Sequence, residues 1–264
     1  MSNVNNTDAV KKQYANAGNL STRISIHDKY STNKMGFGNW IFSNYRLEEG
    51  MHVLELGCGT GSMWKGREQL IAHCEKLVLS DLSEGMLETA RATVGEHANV
   101  EYRVIDICDI PYKNGSFDAV IANMMLYHVP DLDKALSEVT RVLKQGGSFY
   151  CATYGVHGIV EYLATLLGQY GIEDNSNKNF TLQNGASLLG KHFPTVEKYD
   201  YEDSLAVTNI DDMVDYIYSL SSMTALASVP KARIRAILTD HMQDGVLSVP
   251  KEYGMFVAVS SELS

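Results

Sequence analysis

The sequence predicts an α/β protein built on a doubly wound, mainly parallel sheet, and three observations predict it. From Gly50 onward, short apolar runs alternate with helical stretches of about 10–15 residues, the rhythm of βαβ units. These runs are apolar almost throughout instead of alternating with polar residues, which places them in a sheet covered by helices on both faces. The first of them runs straight into three closely spaced glycines and is followed by a helix, where an open parallel sheet presents a ligand site.

Taken in order, residues 2–7 read as a frayed head, and Asp8 caps a helix over 9–17 that Gly18 stops. The stretch 23–34 is polar, with no clear period, and a second helix is expected over 33–45. Strands are expected at 52–56, 76–80, 100–105, 117–124 and 148–153. Helices are expected at 62–73, at 83–94 with Ser83 as its cap, and at 132–143, whose apolar residues recur on one face before Gly146-Gly147 ends it. Beyond Gly155 the pattern is less regular, with helices at 156–170, 182–191, 210–222 and 230–243 and strands at 195–201 and 253–260.

Composition excludes several classes of function. Lys and Arg total 22 against 32 Asp and Glu, a net charge of −10, and no basic cluster occurs, so nucleic acid and anionic membrane surfaces are not expected partners. No run of 18 apolar residues exists, and the polar start lacks the regions of a signal peptide. Cys58, Cys74, Cys108 and Cys151 form no CxxC pair; the expectation is four reduced thiols in a cytoplasmic protein, with neither a metal site nor a disulfide framework.

The sharpest feature is Val53-Leu54-Glu55-Leu56-Gly57-Cys58-Gly59-Thr60-Gly61. Glycine lets the backbone turn sharply and lets a ligand approach with no Cβ in the way. Asp81 ends the second strand, 24 residues after Gly57, where a carboxylate can accept from both hydroxyls of a ribose. Strand, glycine loop, helix, strand and acid together are a nucleoside-binding constellation. A dinucleotide site uses GxGxxG with its pyrophosphate on the helix N-terminus, whereas this loop reads GxGxG. Glu55, two residues before Gly57, would repel a pyrophosphate and attract an ammonium group. S-adenosylmethionine (SAM) carries an ammonium and a sulfonium and no phosphate, and so fits better than NAD.

The segment ExGxGxG followed by Asp81 resembles the class I SAM-dependent methyltransferases. Val104-Ile105-Asp106-Ile107 with Ile110-Pro111, Ser116-Phe117-Asp118-Ala119-Val120, Asn123-Met124-Met125-Leu126-Tyr127-His128-Val129 and Leu143-Lys144-Gln145-Gly146-Gly147 are similar to the family's following strands and turns. The resemblance spans about residues 50–154 and is nearest the small-molecule enzymes of the ubiquinone-biosynthesis type. It implies a Rossmann-like sheet of seven strands, with the strand near 253–260 antiparallel. It divides the chain into a helical N-terminal lid segment, 1–45, and a methyltransferase domain, 46–264, in which a helical insertion at 155–250 also forms the substrate cap. It implies methyl transfer from SAM to a small-molecule acceptor. Gly57, Cys58 and Gly59 would pass the methionine part of SAM with Glu55 nearby, and Asp81 would hold the ribose. Leu82 and Met86 would line the adenine, Asp106 would accept from its amino group beside the Ile107 amide, and the Asn123 carbonyl would face the ammonium.

On the acceptor side, His128 follows the fourth strand at the mouth of the site and is the candidate general base; a histidine here can equally pack or cap. Tyr30 is placed at the cofactor, because 23–34 is too polar for a core helix and lies where this family folds a lid over SAM. Three alternatives stand beside methyl transfer. A SAM cyclase, lyase or non-catalytic SAM-binding module would carry the same loop, arsenite methylation would need a trio of reactive cysteines, and an NAD-dependent dehydrogenase would need the other glycine spacing.

Overall fold

Alternate side chains of a strand point to opposite faces of its sheet, and here both faces are apolar and both are covered. The computed structural model describes residues 17–220, 222, 223 and 229–261. The expected helix over 9–17 lies, but for Ala17, outside the described residues, as does the head before it. Helices α1 (Ala17–Tyr30) and α2 (Phe37–Ser43) precede the sheet. Then come β1 (His52–Leu56), a 3-10 turn (Ser62–Trp64), α3 (Glu68–His73), β2 (Lys76–Asp81), α4 (Glu84–Val94) and β3 (Val100–Val104). They are followed by β4 (Phe117–Ile121), a second 3-10 turn (Leu126–His128), α5 (Leu132–Val142) and β5 (Leu143–Tyr154). The C-terminal part adds α6 (Ile159–Leu167), α7 (Gly185–Leu189), β6 (Thr195–Tyr201), β7 (Ser204–Val207), α8 (Ile210–Ser219), α9 (Lys231–Asp240), β8 (Leu247–Pro250) and β9 (Tyr253–Val259).

Seven strands form one sheet in the order β3-β2-β1-β4-β5-β9-β6, and β7 pairs β8 in a separate ribbon. The pairs from β3 through β5 are parallel, and β9 is antiparallel to both β5 and β6. The seven-stranded, mainly parallel sheet read from the sequence is what the chain forms. Leu54, Val120, Phe149 and Phe256 face α5 and the segment carrying Phe180, Leu189 and Phe193. Val53, Leu77, Ile121 and Tyr150 face Trp64, Ile71, Leu87 and Ala90 on the other side.

Residues 155–250 do not act as a unit. Residues 180–201 return to the sheet, while α6, α8, α9 and the β7–β8 ribbon enclose a third core with Leu163, Met213, Ile217, Ile234 and Val249 at its centre. Ile26 of α1, 1% exposed, inserts into that core. This corrects the reading of 23–34 as too polar for a core helix and of Gly18 as a stop. One buried apolar residue and long-range polar contacts hold the helix, and tertiary packing overrides its weak amphipathicity. Past its end, Ser31 bridges Leu205, Thr32 N–H donates to the Ser204 carbonyl at 2.9 Å, and Asn33 N–H donates to Asp203 Oδ1 at 2.9 Å. Lys251 Nζ donates to Asp203 Oδ2 and, at 3.0 Å, to Ser31 Oγ; the Lys251 and Asp203 side chains are 1% and 0% exposed.

Two further elements differ from expectation. The helix read over 62–73 splits at Gly66, whose φ of +73° cannot continue a right-handed helix. The strand read over 117–124 stops at Ile121, ahead of Met124, a non-glycine residue at φ +53°. Met124 N–H still donates to the Ala152 carbonyl at 2.8 Å, which fixes this strained turn at the strand end.

Candidate functional site

From β1 the chain proceeds outward to β2 and β3, and from β4 to β5 in the other direction, so the carboxyl ends of β1 and β4 form the switch point of the sheet. The glycine loop leaves β1 there. Gly57, Gly59 and Gly61 have φ of +73°, +56° and +70°. A Cβ on Gly57 would lie 3.0 Å from Met125 Cγ, and one on Gly61 would lie 2.9 Å from Val94 Cγ2 and 3.1 Å from Ala90 Cα. A Cβ on Gly59 would meet nothing within 4 Å, so the middle glycine faces open space. Gly61→Ala combines a left-handed backbone with a clash against α4 and is expected to cost about 2–4 kcal/mol of stability. Gly66→Ala, equally left-handed but unobstructed, is expected to cost only the backbone part, about 1–2 kcal/mol. Urea unfolding of the two variants checks the contrast, and equal losses would remove the packing role of Gly61.

The loop is tied to β2. Cys58 N–H donates to the Ser80 carbonyl at 2.8 Å, and Ser80 Oγ donates to the Glu55 carbonyl at 2.7 Å. Asp81 Oδ2 accepts from Gly59 N–H at 3.0 Å and Oδ1 from Ser83 N–H at 2.9 Å. Burial pushes the Asp81 carboxyl up, while the amides of Ser83, Gly59 and Leu82 pull it back. An ionised carboxylate has about four acceptor positions, so Asp81 keeps capacity for a diol.

Glu55 is 3% exposed and its Oε2 accepts from Trp64 Nε1 at 2.5 Å. Burial pushes its carboxyl up to about 7; the indole bond lowers it and the nearby Asp81 charge raises it further. Phe42 meets Trp64 edge to face, and Tyr45 packs on Tyr150 and accepts from Asn123 Nδ2 at 2.6 Å. Asn123 Oδ1 in turn accepts from Ala152 N–H, so its side chain ties α2's trailing segment to the ends of β4 and β5.

Glu55, Gly57, Cys58, Gly59, Asp81 and Asn123 thus converge on the ends of three adjacent strands. Leu82 is half-buried and Met86 buried on the first turn of α4, whose cap Ser83 accepts from Met86 N–H. Asp106 is exposed and its Oδ1 accepts from Cys108 N–H, the geometry of a turn after β3, while Ile107 is buried. Tyr30 stands apart: its hydroxyl donates to Asp212 Oδ2 at 2.6 Å and its ring packs on the cap core. His128 packs on Tyr127, and burial, with Arg23 nearby, lowers its imidazole to about 4. Burial raises every thiol, Cys74 and Cys108 to about 11, so none is a reactive thiolate near neutrality. Among the described residues, no group of His, Cys, Asp and Glu is arranged to hold a metal ion, and no helix is long and apolar enough to cross a membrane.

The sequence reading missed Trp64 and Tyr45 as partners of site residues. A signal for Trp64 existed: a tryptophan in an apolar cluster must find an acceptor for its N–H, and Glu55 is the nearby buried carboxylate.

Comparison with known proteins agrees with this geometry. Residues 54–151 match the methyltransferase domain family. The chain is 36% identical over 104 residues to demethylmenaquinone methyltransferase of Lactococcus lactis, covering 39% of this chain and 41% of that protein, well under two thirds of that relative's length. It is 27% identical over 186 residues to the ubiquinone/menaquinone biosynthesis C-methyltransferase UbiE of Escherichia coli, covering 68% of this chain and 74% of that one. The crystal structure of the YcgJ protein from Bacillus subtilis aligns with a TM-score of 0.59 at 18% identity, covering 86% of this chain and 98% of that chain, a likeness of fold. Residues 54–151, which contain the glycine loop, Asp81 and Asn123, are thus similar to a methyltransferase domain.

Proposed function

We propose that the chain is a SAM-dependent methyltransferase acting on a small-molecule acceptor. The observation that carries this is Glu55, a carboxylate buried at the glycine loop with, among the described residues, only an indole N–H against its charge. A phosphate ligand would worsen that burial; an ammonium would relieve it. In this reading Gly57, Cys58 and Gly59 pass the amino-acid part of SAM, Asp81 holds the ribose, and Leu82 and Met86 flank the adenine. Asp106 and Ile107 meet the adenine edge, Asn123 stands beside the ammonium, and residues 17–45 roof the cleft as a lid. SAM, when bound, supplies an electrophilic methyl group on a sulfonium, and the chain's part is to orient the acceptor and exclude water. The two named relatives make a quinone-derived ring the first acceptor class to try.

His128 is neutral at physiological pH. Moving a proton from an ordinary phenol, which ionises at about 10, to an imidazole at about 4 is uphill by about 8 kcal/mol. His128 is therefore assigned to hydrogen bonding of the acceptor rather than to strong base catalysis. His128→Gln is expected to keep kcat within about 10-fold, because general base catalysis is worth about 100-fold or more. Because the pKa is depressed, the imidazole stays uncharged until pH falls toward about 4, so the wild-type rate is expected to show no His128 limb between pH 6 and 8. A 100-fold loss in kcat together with a limb near neutrality would restore His128 as the base.

Calorimetry with SAM and NAD side by side tests the cofactor. SAM is expected to bind at micromolar affinity, about −8 kcal/mol, and NAD not at all; the reverse overturns the proposal. Product analysis tests the reaction: methyl transfer yields S-adenosylhomocysteine, and methylthioadenosine in its place would mean cyclase or lyase chemistry.

A further inference from the structure

We propose that Trp64 is a positioning residue of the cofactor site: its indole N–H pins one oxygen of Glu55, so that the other is presented to the ammonium of SAM. The inference rests on the reading of the chain as a SAM-dependent methyltransferase and names what orients the ammonium's counter-charge.

Alternation along β1 puts Glu55 on the same face of the sheet as Val53, the face covered by Trp64, Ile71, Leu87 and Ala90. A carboxylate at such an apolar position needs a donor, both to offset its burial and to select its rotamer. The donor is Trp64 Nε1, 2.5 Å from Glu55 Oε2, and the two residues are 1% and 3% exposed. The glycine loop delivers it. Left-handed Gly61 turns the chain into the 3-10 turn, and Trp64 N–H donates to the Gly61 carbonyl at 3.0 Å. The indole is also held from α2. Phe42 meets it edge to face with centroids 5.3 Å apart, and the Arg67 guanidinium caps the Phe42 ring at 3.9 Å. Arg67 in turn donates to the Met63 carbonyl at 2.8 Å and to Asn39 Oδ1 at 2.7 Å, clasping turn and helix together. An indole clamped in this way does not follow Glu55; the hydrogen bond fixes the carboxylate instead.

The two oxygens of Glu55 then differ. Oε2 is taken by the indole, and Oε1 accepts from no donor among the described residues. The other titratable groups that interact with Glu55 offer no cation. Asp81, at the end of β2, is a second carboxylate and raises Glu55, while Cys58 in the loop and Tyr45 beyond α2 are held neutral by burial. An ammonium entering beside the loop therefore meets a single oriented carboxylate oxygen, the partner of a charge-assisted hydrogen bond.

Trp64 reports on its own bond. The chain has two tryptophans, so Trp40→Phe leaves Trp64 as the only one. An excited indole shifts electron density from its pyrrole to its benzene ring, so a negative charge at Nε1 moves its emission to the red. In Trp40→Phe the emission is expected to move red as pH rises, with a midpoint of about 7. Adding Glu55→Gln is expected to remove that midpoint, and S-adenosylhomocysteine, whose ammonium favours the ionised carboxylate, to lower it. Calorimetry with S-adenosylhomocysteine then reads Trp64→Phe, which keeps a ring in the clamp and removes the N–H. The loss of affinity is expected to be about 10-fold at pH 6, where binding must displace a proton that the missing bond has tightened, and about 2-fold at pH 8, where most of the carboxyl is ionised. An equal loss at both pH values, or no midpoint that depends on Glu55, overturns the inference and leaves the cofactor reading standing. A Glu55-dependent midpoint that S-adenosylhomocysteine does not move would keep the indole bond and overturn the cofactor reading on which the inference rests.

Discussion

Asp81→Ala is expected to weaken SAM binding by about 10- to 100-fold, since a charge-assisted hydrogen bond contributes about 1.5–3 kcal/mol. The structure places the upper end of this range within reach. Asp81 has capacity for a ribose and also accepts from Gly59 and Ser83, so its loss frees the middle of the glycine loop from β2 at the same time. Asp81→Asn separates the two roles, because an amide oxygen can still accept one backbone N–H. It is expected to fall between Asp81→Ala and the parent. Calorimetry with SAM reads both variants. Parent-like affinity in a folded Asp81→Ala protein would remove Asp81 from the cofactor site.

Glu55→Gln is expected to move stability and binding in opposite directions. In the folded protein the Glu55 carboxyl is raised from 4.5 to about 7. The native state therefore binds the proton more tightly than the unfolded chain, and the stabilisation this gives is full below about pH 4.5 and lost as pH rises through about 7. Above pH 7 the buried charge costs about 3 kcal/mol. Gln keeps an oxygen for the Trp64 indole and carries no charge. At pH 8 the variant is expected to melt higher by about 5–10 °C, and at pH 5 to match the parent. SAM affinity is expected to drop by about 10-fold with the loss of the ammonium's counter-charge. In the parent, SAM binding near pH 7 is expected to release protons, as the ammonium draws Glu55 back to its ionised form; titrations in buffers of different ionisation enthalpy measure this. A variant no more stable at pH 8 would mean that Glu55 is not burdened by its charge. Proton release that persists in Glu55→Gln would point to another group.

The glycine loop, Asp81 and the strand–helix alternation were legible because their determinants are local. Three glycines needing positive φ, an apolar strand ahead of them and an acid one strand later all lie between residues 52 and 81. The aromatic cluster of His27, Tyr216 and Tyr253 was not legible for the opposite reason. These residues meet only because α1, α8 and β9 are brought together across nearly the whole chain. Tyr30 reads as a cleft residue from its polar surroundings, yet those polar neighbours bind the cap: Lys29 and Tyr30 both go to Asp212. The β7–β8 ribbon escaped notice because each strand has four residues and its partner lies some forty residues away.

The Lys251–Asp203 pair has a mechanical consequence. It joins the end of α1 to the base of the β7–β8 ribbon, beneath the rings of Tyr201 and Tyr253. Separating two charges buried this deeply costs several kcal/mol, far more than breaking an ordinary surface contact. A rearrangement at modest cost is therefore expected to keep the pair intact, so that the end of α1 and the base of the ribbon shift as one body or not at all.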